Sequence, residues 1–161
     1  TELVIYNSNA GYSAATNNRL SAAKGEYVGI VKSDDCILSE TYETLYETAD
    51  FKQFWSTERS RKFEFVALSK KKARYNTSPY LLSDIAYYEQ KVNQPGIYRK
   101  AFLSEYDIRF NEPPSAAYQE NGFRLQLFAY ASTTYFVDAA LHFIRLDNPN
   151  SPVKNQGQVY T

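Results

Sequence analysis

One cysteine and one histidine, Cys36 and His142, are all that these 161 residues contain of either type, and that scarcity removes several chemistries at once. A single thiol cannot close an internal disulfide, which fits a reducing compartment and argues against a stapled secreted domain. His142 lies far from Cys36 in sequence, so Cys36 reads as a small buried spacer rather than a nucleophile. No run approaches the ~18 apolar residues of a membrane span. No signal peptide is visible, and the chain begins at Thr1 rather than a methionine, which reads as an artificial or processing boundary. Net charge is absent too: 18 Lys and Arg balance 18 Asp and Glu, so no overall field recruits nucleic acid or an anionic membrane. No internal repeat, low-complexity tract or P-loop is found.

What is present is one domain's worth of chain, residues 1–161, organised around Gly25 to Ala49. Tyr27 to Val31 is a β-branched and aromatic run that reads as a buried strand, and from Ser39 onward Tyr42, Leu45, Tyr46 and Ala49 recur at helical spacing. Asp34 and Asp35 sit between the two. Ligands of open α/β sheets collect at the carboxyl ends of strands, where adjacent carboxylates can hold a divalent cation against a phosphorylated ligand. Acidic residues in such turns also cap or solvate the next helix, and the residues alone leave both readings open.

Upstream, Leu3 to Tyr6 reads as a strand running into the polar turn Asn7 to Gly11. Ser13 to Lys24 reads as a helix built on Ala14, Ala15, Leu20, Ala22 and Ala23, with Gly25 as its stop. This βαβα beginning favours a parallel sheet with a right-handed crossover, in which Leu3 to Tyr6 pairs directly with Tyr27 to Val31 or another copy of the chain supplies an edge. Downstream, Lys62 to Leu68 is a candidate strand, and Lys70 to Arg74 is a basic run of a solvated loop. Leu81 to Val92 reads as a helix, Gly96 to Arg99 as a return towards the core, and Ala101 to Tyr106 as a short helix. Pro113 and Pro114 mark a loop before Tyr118 to Ala131, a helix apolar over most of its circumference and so expected to be buried. Glu120 in its first turn suits the macrodipole; it is equally placed to be a base at the rim of a pocket. Thr134 to Val137 and Ala140 to Ile144 read as strands.

The stretch GYSAATNNRLSAAKGEYVGIVKSDD resembles the middle of family 2 glycosyltransferases of the GT-A fold, and IYRKAFLSEYDIRFNE, AAYQENGFRLQLFAYA and YFVDAALHFIRLDNPNSPV resemble the carboxyl half of bacterial members that build surface polysaccharides and teichoic acids. The resemblance spans Val4 to about Val153. It implies an α/β fold, a GT-A sheet flanked by helices and truncated at the amino end. It also implies an inverting transferase that moves a sugar from a nucleotide-diphosphate donor to a glycan or polyol-phosphate acceptor.

Carried over by position, the resemblance makes Asp34 and Asp35 the ligands of a Mg2+ or Mn2+ ion, Asp35 the more direct. That ion stabilises the diphosphate as charge gathers on it. The matching position for the general base on the acceptor hydroxyl is Glu120, while Ser33 and Asp34 are expected contacts of the nucleotide-sugar donor and Arg19 and Arg145 are available as its phosphate partners. Three positions depart from the family pattern: Lys32 stands where an acid is common, Thr16 where arginine is usual, and Arg19 where glycine is common. A portion of roughly 60 residues that holds nucleobase and ribose in the family has no counterpart, so this chain alone is expected to be inactive. The expected location is cytoplasmic; association with the inner membrane face and a homo-oligomer stay open. The alternative is a non-catalytic domain of the same fold that binds a carbohydrate or a protein.

Overall fold

The structure, a computed structural model, describes residues 11–49, 63–68, 96–112, 119–137, 139–143 and 145. The expected strand Leu3 to Tyr6, and with it its pairing to Tyr27 to Val31, lies outside the described residues. So do the basic run Lys70 to Arg74, the helix Leu81 to Val92 and the Pro113–Pro114 loop. In chain order the elements are α1 (Gly11–Ala22), β1 (Tyr27–Gly29), β2 (Cys36–Ile37), α2 (Thr41–Ala49), β3 (Phe65–Leu68), β4 (Gly96–Arg99), α3 (Lys100–Glu105), α4 (Gln119–Tyr130), β5 (Thr134–Val137) and β6 (His142–Phe143).

Four strands share one sheet in the order β1-β4-β3-β5, and β2 pairs with β6 in a second, two-stranded sheet. β1, β3 and β5 run in one direction, with β3 and β5 paired in parallel, and β4 is antiparallel to both of its neighbours, β1 and β3. The expectation of a parallel sheet is therefore corrected to a mixed one. Its source is Gly96 to Arg99, which is a full strand rather than a mere return to the core, and which enters between β1 and β3 against their direction. β4 reaches its neighbour closely: a Cβ at Gly96 would stand 2.6 Å from the Val66 carbonyl oxygen, a backbone atom with little room to yield.

Alternation along the strands divides the core between the two sheet faces. Phe65, Ala67 and Tyr98 join one cluster with Phe102 and Leu103 of α3, and Phe123 and Leu127 of α4. Val66 and Ile97 join the other with Leu45 and Ala49 of α2. Register enforces this division, since Phe65 lies opposite Tyr98 and Val66 opposite Ile97. Rings interlock on the first face: Phe65 meets Phe128 and Phe136 edge-on at 5.9 and 6.2 Å, and Tyr98 meets Phe123 at 5.3 Å. Such T-shaped pairs match quadrupoles as well as burying area.

Several local expectations change. α1 buries Ser13, Thr16 and Asn17 rather than its alanines. The reason is a polar clamp: the Asn17 amide donates to the Phe110 carbonyl and accepts from the Phe110 N–H, both at 2.9 Å, and also donates to Glu112 at 2.8 Å. An asparagine that satisfies a buried backbone donor and acceptor replaces the apolar contact that periodicity predicts. Cys36 is exposed, not a buried spacer, because β2 lies at the surface with β6. β1 is three residues long, only Val28 of it is buried, and Val31 is exposed. α4 buries Phe123 and Leu127 but leaves Leu125 and Tyr130 about half exposed, so it is a one-sided helix rather than an enclosed one. No described helix is long and apolar enough to cross a membrane.

Candidate functional site

The turn after β1 carries the first group of candidates. The Asp35 N–H donates to the Lys32 carbonyl at 3.1 Å, closing a turn whose tip is Ser33 and Asp34. Ser33 is exposed and Asp34 half-buried. Immediately afterwards β2 zips to β6 with Ile37 opposite His142 and Cys36 opposite Phe143. That register delivers His142 to Asp35: the imidazole Nε2 stands 3.2 Å from Oδ2, with both side chains more than nine-tenths buried. The Arg145 backbone N–H donates to the other oxygen, Oδ1, at 3.2 Å. Both oxygens of Asp35 are thus engaged, and the carboxylate is fixed in place.

Glu120 comes from the other side, in the first turn of α4. Lys32 Nζ donates to its Oε1 at 3.3 Å, with the two side chains 38% and 29% exposed. The same ammonium lies 5.9 Å from the ring centroid of Tyr12, at the start of α1. Tyr12 meets Phe110 edge-on at 5.6 Å, and Phe110 stacks on Phe123 of α4 at 4.4 Å, so an aromatic ladder ties the starts of both helices together. The Tyr12 hydroxyl is pushed up to about 12, first by burial and then by the negative charges of Glu120 and Asp35; a hydrogen bond with Thr16 works the other way. Lys32 belongs to the turn that carries Asp35 and also bonds Glu120, which places the turn after β1 and the start of α4 on a common rim.

Asp35 lies beside the backbone of Arg145, and Glu120 beside Lys32, which opens the same turn. Arg19 is exposed in the last turn of α1, seven residues and about 10 Å of helix beyond Tyr12. His142 and Tyr12 were not foreseen. Pairing of two short surface strands more than a hundred residues apart leaves no periodic signal, and Tyr12 sits in a polar segment whose burial depends on Phe110. A separate open hollow of about 530 Å³, lined by Tyr27, Gly29, Tyr42, Glu43, Tyr46 and Ile97, shares none of these residues.

Among the described residues no three His, Cys, Asp or Glu side chains form a ready-made metal cluster. The Asp35–His142 pair still suits a cation that takes its remaining ligands from a bound phosphate. Adjacent ligands of an octahedral ion with bonds of ~2.1 Å stand ~3 Å apart, close to the 3.2 Å between His142 Nε2 and Asp35 Oδ2.

No family model matches the chain. Over 159 residues it is 26% identical to the uncharacterized glycosyltransferase EpsJ of Bacillus subtilis (strain 168), covering 92% of this chain and 45% of that protein. The likeness is to glycosyltransferases. TarS of S. aureus shares the fold: TarS 1–349 in complex with UDP-GlcNAc superposes with a TM-score of 0.65 at 20% identity, over 91% of this chain and 42% of that one. A further TarS structure gives a TM-score of 0.67 at 20% identity, over 88% of this chain and 25% of that one. The chain therefore spans less than half the length of each of these glycosyltransferases.

Proposed function

We propose that this chain supplies the catalytic rim of an inverting glycosyltransferase of GT-A type, which transfers a sugar from a nucleotide-diphosphate donor to a glycan or polyol-phosphate acceptor of a cell-surface polymer. The observation that carries this reading is the contact of Lys32 with Glu120, which sets the turn that holds Asp35 against the start of α4, one carboxylate buried beside His142 and the Arg145 N–H, the other about a third exposed at a helix start. Similarity to EpsJ and the fold shared with TarS support it.

In this reading Glu120 accepts the proton of the acceptor hydroxyl, whose oxygen then attacks the anomeric carbon from the face opposite the leaving group. The bond from anomeric carbon to diphosphate breaks, and its electron pair goes to the phosphate oxygen. Asp35 and His142 would hold a divalent ion alongside the diphosphate, with Asp34 offering a further carboxylate from the turn; an imidazole ligand would shift preference from Mg2+ towards Mn2+. The ion, when bound, stabilises the charge that develops on the leaving diphosphate. Ser33 and the exposed Arg145 offer polar contacts to the donor. Arg19, exposed in the last turn of α1, offers a further cation to the donor's phosphates.

The chain spans 45% of the length of its Bacillus relative, so the test uses the complete gene product. Glu120→Gln keeps size and hydrogen bonding but removes the proton acceptor, and is expected to lower turnover by roughly 100-fold to 10,000-fold without loss of donor affinity. Unchanged turnover would demote Glu120 to a helix-start acid. Absence of turnover in both forms would favour the non-catalytic binding domain. In the same protein Asp35→Ala and His142→Ala are each expected to remove most of the manganese-dependent binding of UDP seen by calorimetry; equal binding would sink the metal assignment.

A further inference from the structure

Lys32 is the one cation described in direct contact with the proposed base, and its bond has the marks of a contact made to be exchanged. It is a single hydrogen bond at 3.3 Å, longer than the ~2.7–2.9 Å of a tight charge-assisted bond. Both partners are about a third exposed, so water competes for each and the pair adds little to stability. The surrounding groups are less free: Asp35 is more than nine-tenths buried, with contacts at both oxygens, and Tyr12 packs edge-on against Phe110. Lys32 is also the residue that opens the turn after β1, at the carboxyl end of the strand where the proposed diphosphate binds. Its four-carbon stem lets the ammonium swing while the backbone stays fixed, and three donors on a point charge suit a diphosphate better than one carboxylate oxygen.

We infer that Lys32 is a donor-responsive positioning residue: its ammonium caps Glu120 before the donor binds and moves to the donor's diphosphate, which frees the carboxylate for the acceptor hydroxyl. This rests on the glycosyl-transfer reading above. Its consequence is an order of events. The base is withheld from water and acceptor until a diphosphate is present to draw the lysine away, which ties readiness for chemistry to occupancy of the donor site. The Tyr12 face, 5.9 Å from the ammonium, offers it a second resting contact during the exchange.

If Glu120 and the diphosphate compete for one ammonium, removing the charge of Glu120 strengthens diphosphate binding, and does so only while Lys32 is there. The test is a double-mutant cycle on the complete gene product, with UDP as probe in the presence of manganese and calorimetry as readout. Glu120→Gln is expected to tighten UDP binding by about twofold to fivefold, the size of one exposed ion pair. Lys32→Gln is expected to weaken it by a similar or larger factor. In the Lys32→Gln background Glu120→Gln should have no effect, and with Lys32→Arg the tightening should persist. Tightening of equal size with and without Lys32 would reduce the effect to general charge repulsion and overturn the exchange. Unchanged or weaker binding in Glu120→Gln would overturn it as well. UDP failing to bind the unaltered protein would remove the glycosyl-transfer reading itself. Turnover of Glu120→Gln reports the base separately, so loss of turnover without coupling refutes the exchange and leaves the base in place.

Discussion

The body of α4 and its first turn belong to one helix yet live under opposite rules. Phe123 and Leu127 are buried, Phe123 between Phe110 and Tyr98, and neither can move without opening a cavity. Three residues before Phe123, Glu120 is nearly a third exposed and held by one long bond to Lys32. The same division runs through α1, whose Asn17 is clamped to Phe110 while Tyr12 faces the charges of the rim. Chemistry at a helix start needs a backbone that does not drift and side chains that exchange partners cheaply, and here adjacent turns of one helix supply the two.

That contrast breaks most visibly at Phe123. Phe123→Ala is expected to cost about 3–5 kcal/mol, because the ring is fully buried and its neighbours cannot collapse into the space. Urea unfolding reads this directly, and a loss below about 1 kcal/mol would mean that the aromatic ladder does not fix the rim. By comparison Lys32→Gln should change stability by less than about 1 kcal/mol. The next effect in size is at Asn17. Asn17→Ala leaves the buried N–H and carbonyl of Phe110 without their partner, at a cost of about 1–3 kcal/mol, most of which Asn17→Asp should not restore because a carboxylate lacks the donor. Recovery in Asn17→Asp would show that the clamp matters only through the Phe110 N–H.

Tyr12 links the two regions and can be followed by pH. Its hydroxyl ionises at about 12 in the fold against 10.0 in the open chain. Between these values the unfolded chain releases the proton and the folded one keeps it, so stability is complete below pH 10 and falls as pH rises towards 12. Tyr98 and Tyr42, both raised by burial, add to the same slope. Tyr12→Phe should therefore flatten part of the alkaline loss in an unfolding series from pH 9 to 12, and an unaltered slope would remove Tyr12 from the buried rim.

Much of this was legible from periodicity. α2, α3, α4, β3 and β5 lie where apolar spacing put them, and the turn with Asp34 and Asp35 follows β1, although the strand β2 stands between it and α2. The exceptions share a cause. Asn17 is buried for a hydrogen bond to a residue 93 positions away, His142 reaches Asp35 through a two-residue strand pair, and Gly96 to Arg99 runs against both neighbours, a direction that spacing does not encode. Local pattern reports which face of an element is apolar; it carries no record of which distant polar group will need a partner.

The smallest expected change lies at the end of α3, on the firm side of the comparison. Asp107 has φ 48°, the left-handed region where a side chain crowds the backbone. It stands there because the helix closes through it: the Ile108 N–H donates to the Leu103 carbonyl at 2.9 Å and the Asp107 N–H to the Ser104 carbonyl at 3.4 Å, while Leu103 and Ile108 are both buried. This is the arrangement in which glycine is favoured after a helix end. Asp107→Gly removes the crowding but gives the unfolded chain more freedom and deletes an ion pair with Arg109. Both of those groups are more than half exposed, so the lost pair contributes little. The balance is a gain of up to about 1 kcal/mol. An unfolding midpoint that rises with an unchanged urea slope would bear this out. A midpoint that falls would mean that Arg109 draws Asp107 into the turn strongly enough to outweigh the strain, and that even the scaffold of this molecule owes some order to an exposed charge pair.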